Sequence, residues 1–164
     1  MSRNGFNNIH EMRAGETTSF SLLSIKAIYS KHRSIYPPFG PSTESLGYLI
    51  HGSKTVYFPG DTDIFPEMAD LANDLDVALL PVWGWGPNLG PDHMNPQRAA
   101  EALTLLHPRI AIPIHWGTFY PKWLGWFRAY LMADPPQLFL QAASKRMPQV
   151  KVHILTPGSS LSIP

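Results

Sequence analysis

Two apolar runs in the second half of the chain do most to limit the folds that it can adopt. They are "DVALLPV" (residues 76–82) and "IAIPI" (residues 110–114), and neither alternates polar with apolar residues. A strand without such alternation is buried on both faces, as in a sheet that is covered on both sides. The alternation of strand and helix patterns after residue 55 therefore predicts an α/β layer structure.

The segment "NPQRAAEALTLLHP" is the clearest helix of the sequence. Asn95 is a suitable N-cap, Pro96 suits the first helical position, and Pro108 cannot continue the helix. Four small or apolar residues then share one face, namely Ala99, Ala100, Leu103 and Leu106. We expect this face to pack on the sheet.

The remaining patterns predict short elements on either side of this helix. Residues 17–30 alternate well enough for two short strands or one bent strand. A hairpin is predicted from strands 47–50 and 55–58, with its turn at residues 51–54. A short helix over 65–72, a last helix over 135–146 and a last strand over 150–155 complete the prediction.

Composition favours a single domain, residues 1–164, with a packed core. Hydrophobic residues make up 44% of the chain and charged residues 15%. Thirteen basic and twelve acidic residues leave a net charge of +1, so no electrostatic signal for nucleic acid is present. No apolar run is long enough to predict a transmembrane segment, and "MSRNGFNNIHEM" lacks the pattern of a secretory signal. The absence of cysteine excludes thiolate metal sites, and a cytoplasmic location is expected.

Three polar side chains follow apolar stretches in a way that predicts a shared site. "AIYSKHRS" contains His32, "VYFPGDTD" contains Asp61, and "IAIPIHWGTF" contains His115. Strand ends in α/β proteins gather at one edge of the sheet, and imidazole and carboxylate groups are ligands for zinc. Each residue by itself also has a structural interpretation. A histidine at a strand end, such as His115, can be a core residue satisfied by one hydrogen bond, and the segment around Asp61 can be an ordinary turn.

The segments around these residues resemble a known family. "VYFPGDTD", "LLPVWGWGPNLGPDHMNPQRAAEAL" and "IAIPIHWGTF" occur in the order found in the C-terminal half of metallo-β-lactamase-fold hydrolases. The nearest branch includes ascorbate-phosphate lactonase-like and N-acylphosphatidylethanolamine phospholipase D-like enzymes. The resemblance implies part of a four-layered αββα sandwich that lacks much of its N-terminal half.

The resemblance also implies roles for individual residues in a dinuclear zinc site, with manganese as the alternative metal. His32 corresponds to a ligand of the first metal, Asp61 to the carboxylate that bridges both metals, and His115 to a ligand of the second metal. His93 corresponds to a catalytic position at the mouth of the site, although a surface histidine beside a helix start is an equal alternative. Thr62 and Thr118 are candidates for hydrogen bonds that orient the ligands.

The family's His-x-His-x-Asp-His motif, which supplies the other ligands, is absent from this sequence. We therefore expect the chain to lack hydrolase activity without that half, which an upstream segment of the gene product or a partner chain would supply. A His-x-His-x-Asp-His motif in frame upstream of Met1 would show that the chain is a fragment or has a misplaced start. Half of a sandwich also exposes an apolar sheet face, for which a second copy or a complementing chain is the expected partner.

Two hypotheses of function follow. The first is a metal-dependent hydrolase in which activated water attacks a small-molecule ester, lactone or phosphodiester. Trp83 and Trp85 would then contribute apolar contacts to the pocket. The second is a non-catalytic remnant or assembly module that keeps the half-fold. The aromatic segment 119–130 fits a core or dimer-contact helix, with contact to an acyl chain or a lipid surface as the alternative.

Overall fold

The computed structural model of the chain describes residues 5–34, 43–83, 90, 92–117 and 130–164. In this part of the chain seven strands form one sheet, and their order in the sheet is their order in the sequence. The strands are β1 (Thr17–Phe20), β2 (Leu23–Ser34), β3 (Thr43–His51), β4 (Thr55–Phe58), β5 (Val77–Pro81), β6 (Ile110–Ile114) and β7 (Lys151–Val152). The helices are a 3₁₀ helix (Pro66–Leu71), α1 (Pro96–Leu106), α2 (Tyr130–Ala133) and α3 (Pro135–Arg146).

The sheet changes from antiparallel to parallel pairing at β4. Strands β1 to β4 pair antiparallel with their neighbours, and β5, β6 and β7 each pair parallel with the strand before. Antiparallel neighbours can be joined by tight turns, whereas parallel neighbours need a crossover connection. The 3₁₀ helix lies between β4 and β5, and α1 lies between β5 and β6. The predicted α/β class is confirmed.

One face of the sheet carries the helices and the main hydrophobic core. Leu49 pairs with Tyr57 across β3 and β4, so these two side chains share this face. Side chains from the strands, the 3₁₀ helix, α1 and α3 meet here with no exposed surface, among them Tyr57, Met68, Leu80, Leu103, Leu106 and Phe139. The predicted buried face of α1 is confirmed, because Ala99, Ala100, Leu103 and Leu106 are all fully buried.

The opposite face of the sheet is also apolar, and the described residues cover it only in part. Beside β5 and β6 it packs against residues near the C-terminus, in a cluster of Val77, Ile110, Ile112, Leu155, Leu161 and Ile163. Beside β1 to β4, a groove of about 720 Å³ separates it from residues 7–12. Phe20, Leu23 and Phe58 remain 51%, 46% and 39% exposed. This is the face that a second sheet covers in a four-layered sandwich.

Most predicted elements occur where the sequence places them. The hairpin forms from β3 and β4 around the predicted turn, and β6 and α3 have the predicted bounds. Residues 17–30 form two strands, β1 and β2, and not one bent strand. Asn95 caps α1 by accepting a hydrogen bond from the Arg98 N–H at 2.9 Å. The helix over 65–72 forms as a 3₁₀ helix.

Three strands differ from the prediction by more than two residues in length, and one of them is β3, which begins at Thr43 where residue 47 was predicted. β2 continues to Ser34 and contains His32, which the sequence places after the strand, because Ser34 pairs with Thr43 beyond a register shift. The last strand was expected over 150–155, but β7 has only two residues. The His153 N–H still donates to the Ala111 carbonyl, and the next ladder bond would need a donor at residue 113. That residue is Pro113, which has no N–H, so the ladder ends there.

No helix within the described ranges has the length and apolar composition that crossing a membrane requires.

Gly47 in β3 leaves no room for a side chain. A Cβ at this position would lie 2.8 Å from Pro59 Cα and 2.9 Å from the Pro59 carbonyl oxygen. Because both are backbone atoms, we expect Gly47→Ala to lower the free energy of unfolding by about 1–3 kcal/mol, measured by urea denaturation. Gly52→Ala is the control, since its Cβ would meet the end of the Leu23 side chain, which can rotate away. Equal losses in the two variants would contradict this account.

Candidate metal centre

The candidate site lies at the edge of the sheet where β4, β5 and β6 end. Asp61 follows β4 and His115 follows β6. β2 runs in the same direction as β4, because each is antiparallel to β3, so His32 near the end of β2 reaches the same edge. His93 lies just before α1, and an isolated bridge between Lys31 and Asp63 joins β2 to the segment after β4.

Three of the predicted residues come together as a possible metal-binding group. One ligand atom from each of His32, Asp61 and His93 lies within 4.8 Å of the other two. His93 Nε2 is 3.1 Å from Asp61 Oδ2, and the rings of His32 and His93 meet edge to face with centroids 4.8 Å apart. We call His32, Asp61 and His93 the trio.

His115 lies at the margin of the trio. Its Nε2 is 3.9 Å from Asp61 Oδ2, on the same carboxylate oxygen that His93 contacts. Its Nδ1 is 3.1 Å from the Trp83 carbonyl oxygen. Because a carbonyl only accepts hydrogen bonds, this contact places a proton on Nδ1, and in the neutral ring Nε2 then has the free lone pair. A ring whose other nitrogen donates to a carbonyl is the usual form of a metal-ligating histidine.

Two buried ring nitrogens of the trio test whether these residues fit a metal. Neither His32 Nδ1 nor His93 Nδ1 has a hydrogen-bond partner among the described residues, although both atoms are buried. Leaving a buried polar group unpaired costs about 1–3 kcal/mol, so such groups are rare without a reason. Imidazole nitrogens and a carboxylate are ligands that zinc takes in proteins. The donor set therefore fits a divalent metal ion.

Asp63 and Arg98 support the site, and the sequence did not single them out. The Arg98 guanidinium binds both carboxylate oxygens of Asp63, at 2.6 and 2.9 Å, and Lys31 Nζ is 3.2 Å from Oδ2. Burial alone would raise the pKa of Asp63, but hydrogen bonds from Arg98, the Ile64 N–H and Lys31 outweigh it and hold the pKa below its usual value. A second carboxylate in "GDTD" and a basic residue in the first turn of α1 were the available signals.

Of the two threonines predicted to orient the ligands, Thr62 lies within the described residues and Thr118 does not. Thr62 is fully buried, and its hydroxyl accepts from the Lys31 N–H at 2.9 Å and donates to the Asp63 carbonyl at 2.8 Å. It thus lies between segments that carry His32 and Asp61. Thr118, Trp85 and residues 119–129 lie outside the described residues. His107 forms the left-handed cap that ends α1, with φ of 45°.

A mixed sheet with helices on one face and a His/Asp cluster at the strand ends agrees with the metallo-β-lactamase fold that the sequence motifs resemble. The family model described as "Beta-lactamase superfamily domain" matches residues 1–116. The chain therefore belongs to the β-lactamase superfamily of metallo-β-lactamase-fold proteins.

Relatives in sequence and structure agree with this assignment. The chain is 31% identical over 160 residues to a UPF0173 protein of Pyrococcus furiosus, covering 97% of this chain and 64% of that protein. It is 34% identical over 162 residues to a UPF0173 metal-dependent hydrolase of Desulforamulus reducens, covering 94% and 63%. The structure of Igni18, a metallo hydrolase from Ignicoccus hospitalis, superimposes with a TM-score of 0.68 at 27% identity, covering 98% and 62%. The chain thus spans a little over three fifths of the length of these relatives.

Proposed function

We propose that the chain is the C-terminal part of a metal-dependent hydrolase, with zinc as the ion and manganese as the alternative. The observation that carries the proposal is the trio at the end of the sheet, in which two buried histidine nitrogens have no hydrogen-bond partner among the described residues. Two relatives, a metal-dependent hydrolase of Desulforamulus reducens and a metallo hydrolase of Ignicoccus hospitalis, support the same activity.

The trio and His115 would hold the metal. The chemistry that a divalent ion supplies when bound is polarisation of a substrate oxygen and activation of water at neutral pH. Asp61 Oδ2 faces both His93 and His115, at 3.1 and 3.9 Å, so Asp61 is the residue that would contribute to both ligand sets if the site held two ions. The Trp83 carbonyl fixes the His115 ring with Nε2 turned towards Asp61.

His93 is the candidate for proton transfer. Its side chain is 18% exposed, so it is held by the site and still reached by solvent. With Asp61 as its partner, His93 can hold a proton at Nε2 and release it to a leaving group while its ring is not bound to a metal. We propose this role as the alternative to metal binding by His93, in which case His32, Asp61 and His115 would hold the ion.

The substrate proposed is a small-molecule ester, lactone or phosphodiester with an apolar substituent. A cavity of about 510 Å³ adjoins His115, and its walls are largely apolar, including Leu79, Ile112, Ile114 and Trp116. Such a wall favours an apolar group beside the reacting bond. The larger groove beside β1 to β4 is lined by none of the candidate ligands and is not proposed as the reaction site.

A hydrolysis assay tests the proposal. A form of the chain extended upstream to include a His-x-His-x-Asp-His motif should hydrolyse bis(p-nitrophenyl) phosphate or a γ-lactone when zinc or manganese is added. The chain of 164 residues alone should be inactive. Asp61→Asn should abolish the activity of the extended form, and unchanged activity in that variant would refute the proposal.

The exposed apolar face favours a second candidate function, an assembly module without activity. Phe20, Leu23 and Phe58 retain much exposed surface on the face opposite to the helices. In this case the chain would associate with a second copy or with a complementing chain. An inactive extended form that still associates in analytical ultracentrifugation would favour the module.

A further inference from the structure

Asp63 joins two basic side chains from distant parts of the sequence. Arg98 makes a bidentate contact with its carboxylate, and Lys31 Nζ lies 3.2 Å from Oδ2. The Asp63 side chain is only 6% exposed. The Asp63 carboxylate carries one negative charge but contacts two cations. Glu101, one turn along α1, lies 3.8 Å from Arg98 and offsets the remaining positive charge. We call Asp63, Arg98 and Lys31 the Asp63 network.

Each member of the network lies on a segment that carries one residue of the trio. Lys31 is next to His32 in β2, Asp63 is two residues after Asp61, and Arg98 is five residues after His93. A single carboxylate therefore ties together the three segments on which the trio stands.

Backbone hydrogen bonds join the same segments. The Lys31 N–H donates to Thr62 Oγ1 at 2.9 Å, and the Asp63 N–H donates to the Lys31 carbonyl at 3.0 Å. The Met94 N–H donates to the Thr62 carbonyl at 3.1 Å. Hydrogen bonds of this length form only while the segments keep their spacing. The Asp63 network joins the same segments through its side chains.

The geometry of the Arg98–Asp63 contact suits a role in positioning the segments of the trio better than a role in stability alone. A bidentate arginine–carboxylate contact fixes the relative orientation of the two side chains as well as their distance. A lysine ammonium, which acts as a point charge, does not fix the orientation. Ligands must be held within about 0.5 Å of the binding geometry for a metal site to work well. A second Arg–Asp pair, Arg109 with Asp76 at 3.1 Å, lies at the opposite edge of the sheet and provides a natural comparison.

We propose that Asp63 and Arg98 are positioning residues that hold the segments of His32, Asp61 and His93 in register for metal binding. This inference rests on the proposed metal site. The residues act through the backbone of those segments and need not touch the ion.

The first arm of the test needs no metal. In the metal-free chain, Arg98→Gln should speed hydrogen exchange of the Lys31, Asp63 and Met94 amides about tenfold relative to amides in β5 and β6. Arg109→Gln, the matched control, should leave these three amides unchanged. Equal exchange in the wild-type and Arg98→Gln chains would overturn the proposal, whether or not the chain binds a metal.

The second arm uses Co²⁺ as the probe. Arg98→Gln should weaken Co²⁺ binding about tenfold and change the visible spectrum of the bound ion, since partners outside the ligand shell typically contribute about 10–100-fold to affinity. Arg98→Lys should recover part of the affinity, and Arg109→Gln should bind as the wild type does. Wild-type affinity in Arg98→Gln would overturn the proposal while leaving the metal site intact.

A further variant covers the case in which Arg98→Gln does not fold. Asp63→Asn keeps the size of the side chain and should give the same two effects in a folded chain. Unchanged exchange and unchanged Co²⁺ affinity in folded Asp63→Asn would overturn the proposal. A wild-type chain that binds no Co²⁺ would instead refute metal binding by the trio in the chain of 164 residues, and the exchange arm would still decide the role of the network.

Discussion

Replacing Asp61 by Asn should weaken zinc binding by about 100-fold or more. The change keeps the size of the side chain but removes the charge that faces both His93 and His115. Loss of a hydrogen-bonding partner outside the ligand shell already costs about 10–100-fold, and loss of an anionic ligand should cost at least the upper end of that range. Isothermal titration calorimetry of the metal-free chain with Zn²⁺ measures the effect.

Asp70→Asn is the control for this experiment. Asp70 is an exposed residue in the 3₁₀ helix and is not one of the candidate ligands. It undergoes the same chemical change with no expected loss of affinity. If Asp61→Asn and Asp70→Asn bound Zn²⁺ equally well, the assignment of Asp61 to the site would be wrong.

The largest loss of stability is expected for Phe139→Ala in α3. Phe139 is fully buried in the core between the sheet and the helices. Removing a buried phenyl ring leaves a cavity and costs about 3–5 kcal/mol, a large share of a typical stability of about 5–15 kcal/mol. Urea denaturation followed by circular dichroism measures the difference.

The neighbouring Leu138 gives a matched control, because it is 41% exposed on the same helix. Leu138→Ala should lower the free energy of unfolding by less than about 1 kcal/mol. A similar loss in the two variants would show that α3 does not pack as described.

The sequence predicts the fold well wherever local patterns decide the structure. The cap at Asn95, the non-alternating runs of β5 and β6, and the hairpin turn after His51 all depend on neighbouring residues. The length of β7 depends on Pro113, which is 38 residues earlier than Lys151 in the chain. The extension of β2 past His32 likewise depends on the pairing of Ser34 with Thr43. Such long-range pairings cannot be predicted from either segment alone.

The candidate site was predictable in its residue types but not in its grouping. His32, Asp61 and His115 follow apolar stretches, and the structure brings all three to one edge of the sheet. The position of His93 beside Asp61 depends on the path of the chain into α1, which local patterns do not encode. Neither does the sequence indicate that Asp63 and Arg98, 35 residues apart, form an ion pair.

The central claim is that the trio binds a metal ion, and anomalous diffraction at the zinc edge from crystals of the chain grown with zinc tests it most directly. We predict a strong peak about 2.0–2.2 Å from ligand atoms of His32, Asp61 and His93. A crystal with zinc bound only at histidines outside the site, such as His51 or His107, or with no peak at the trio, would contradict the claim.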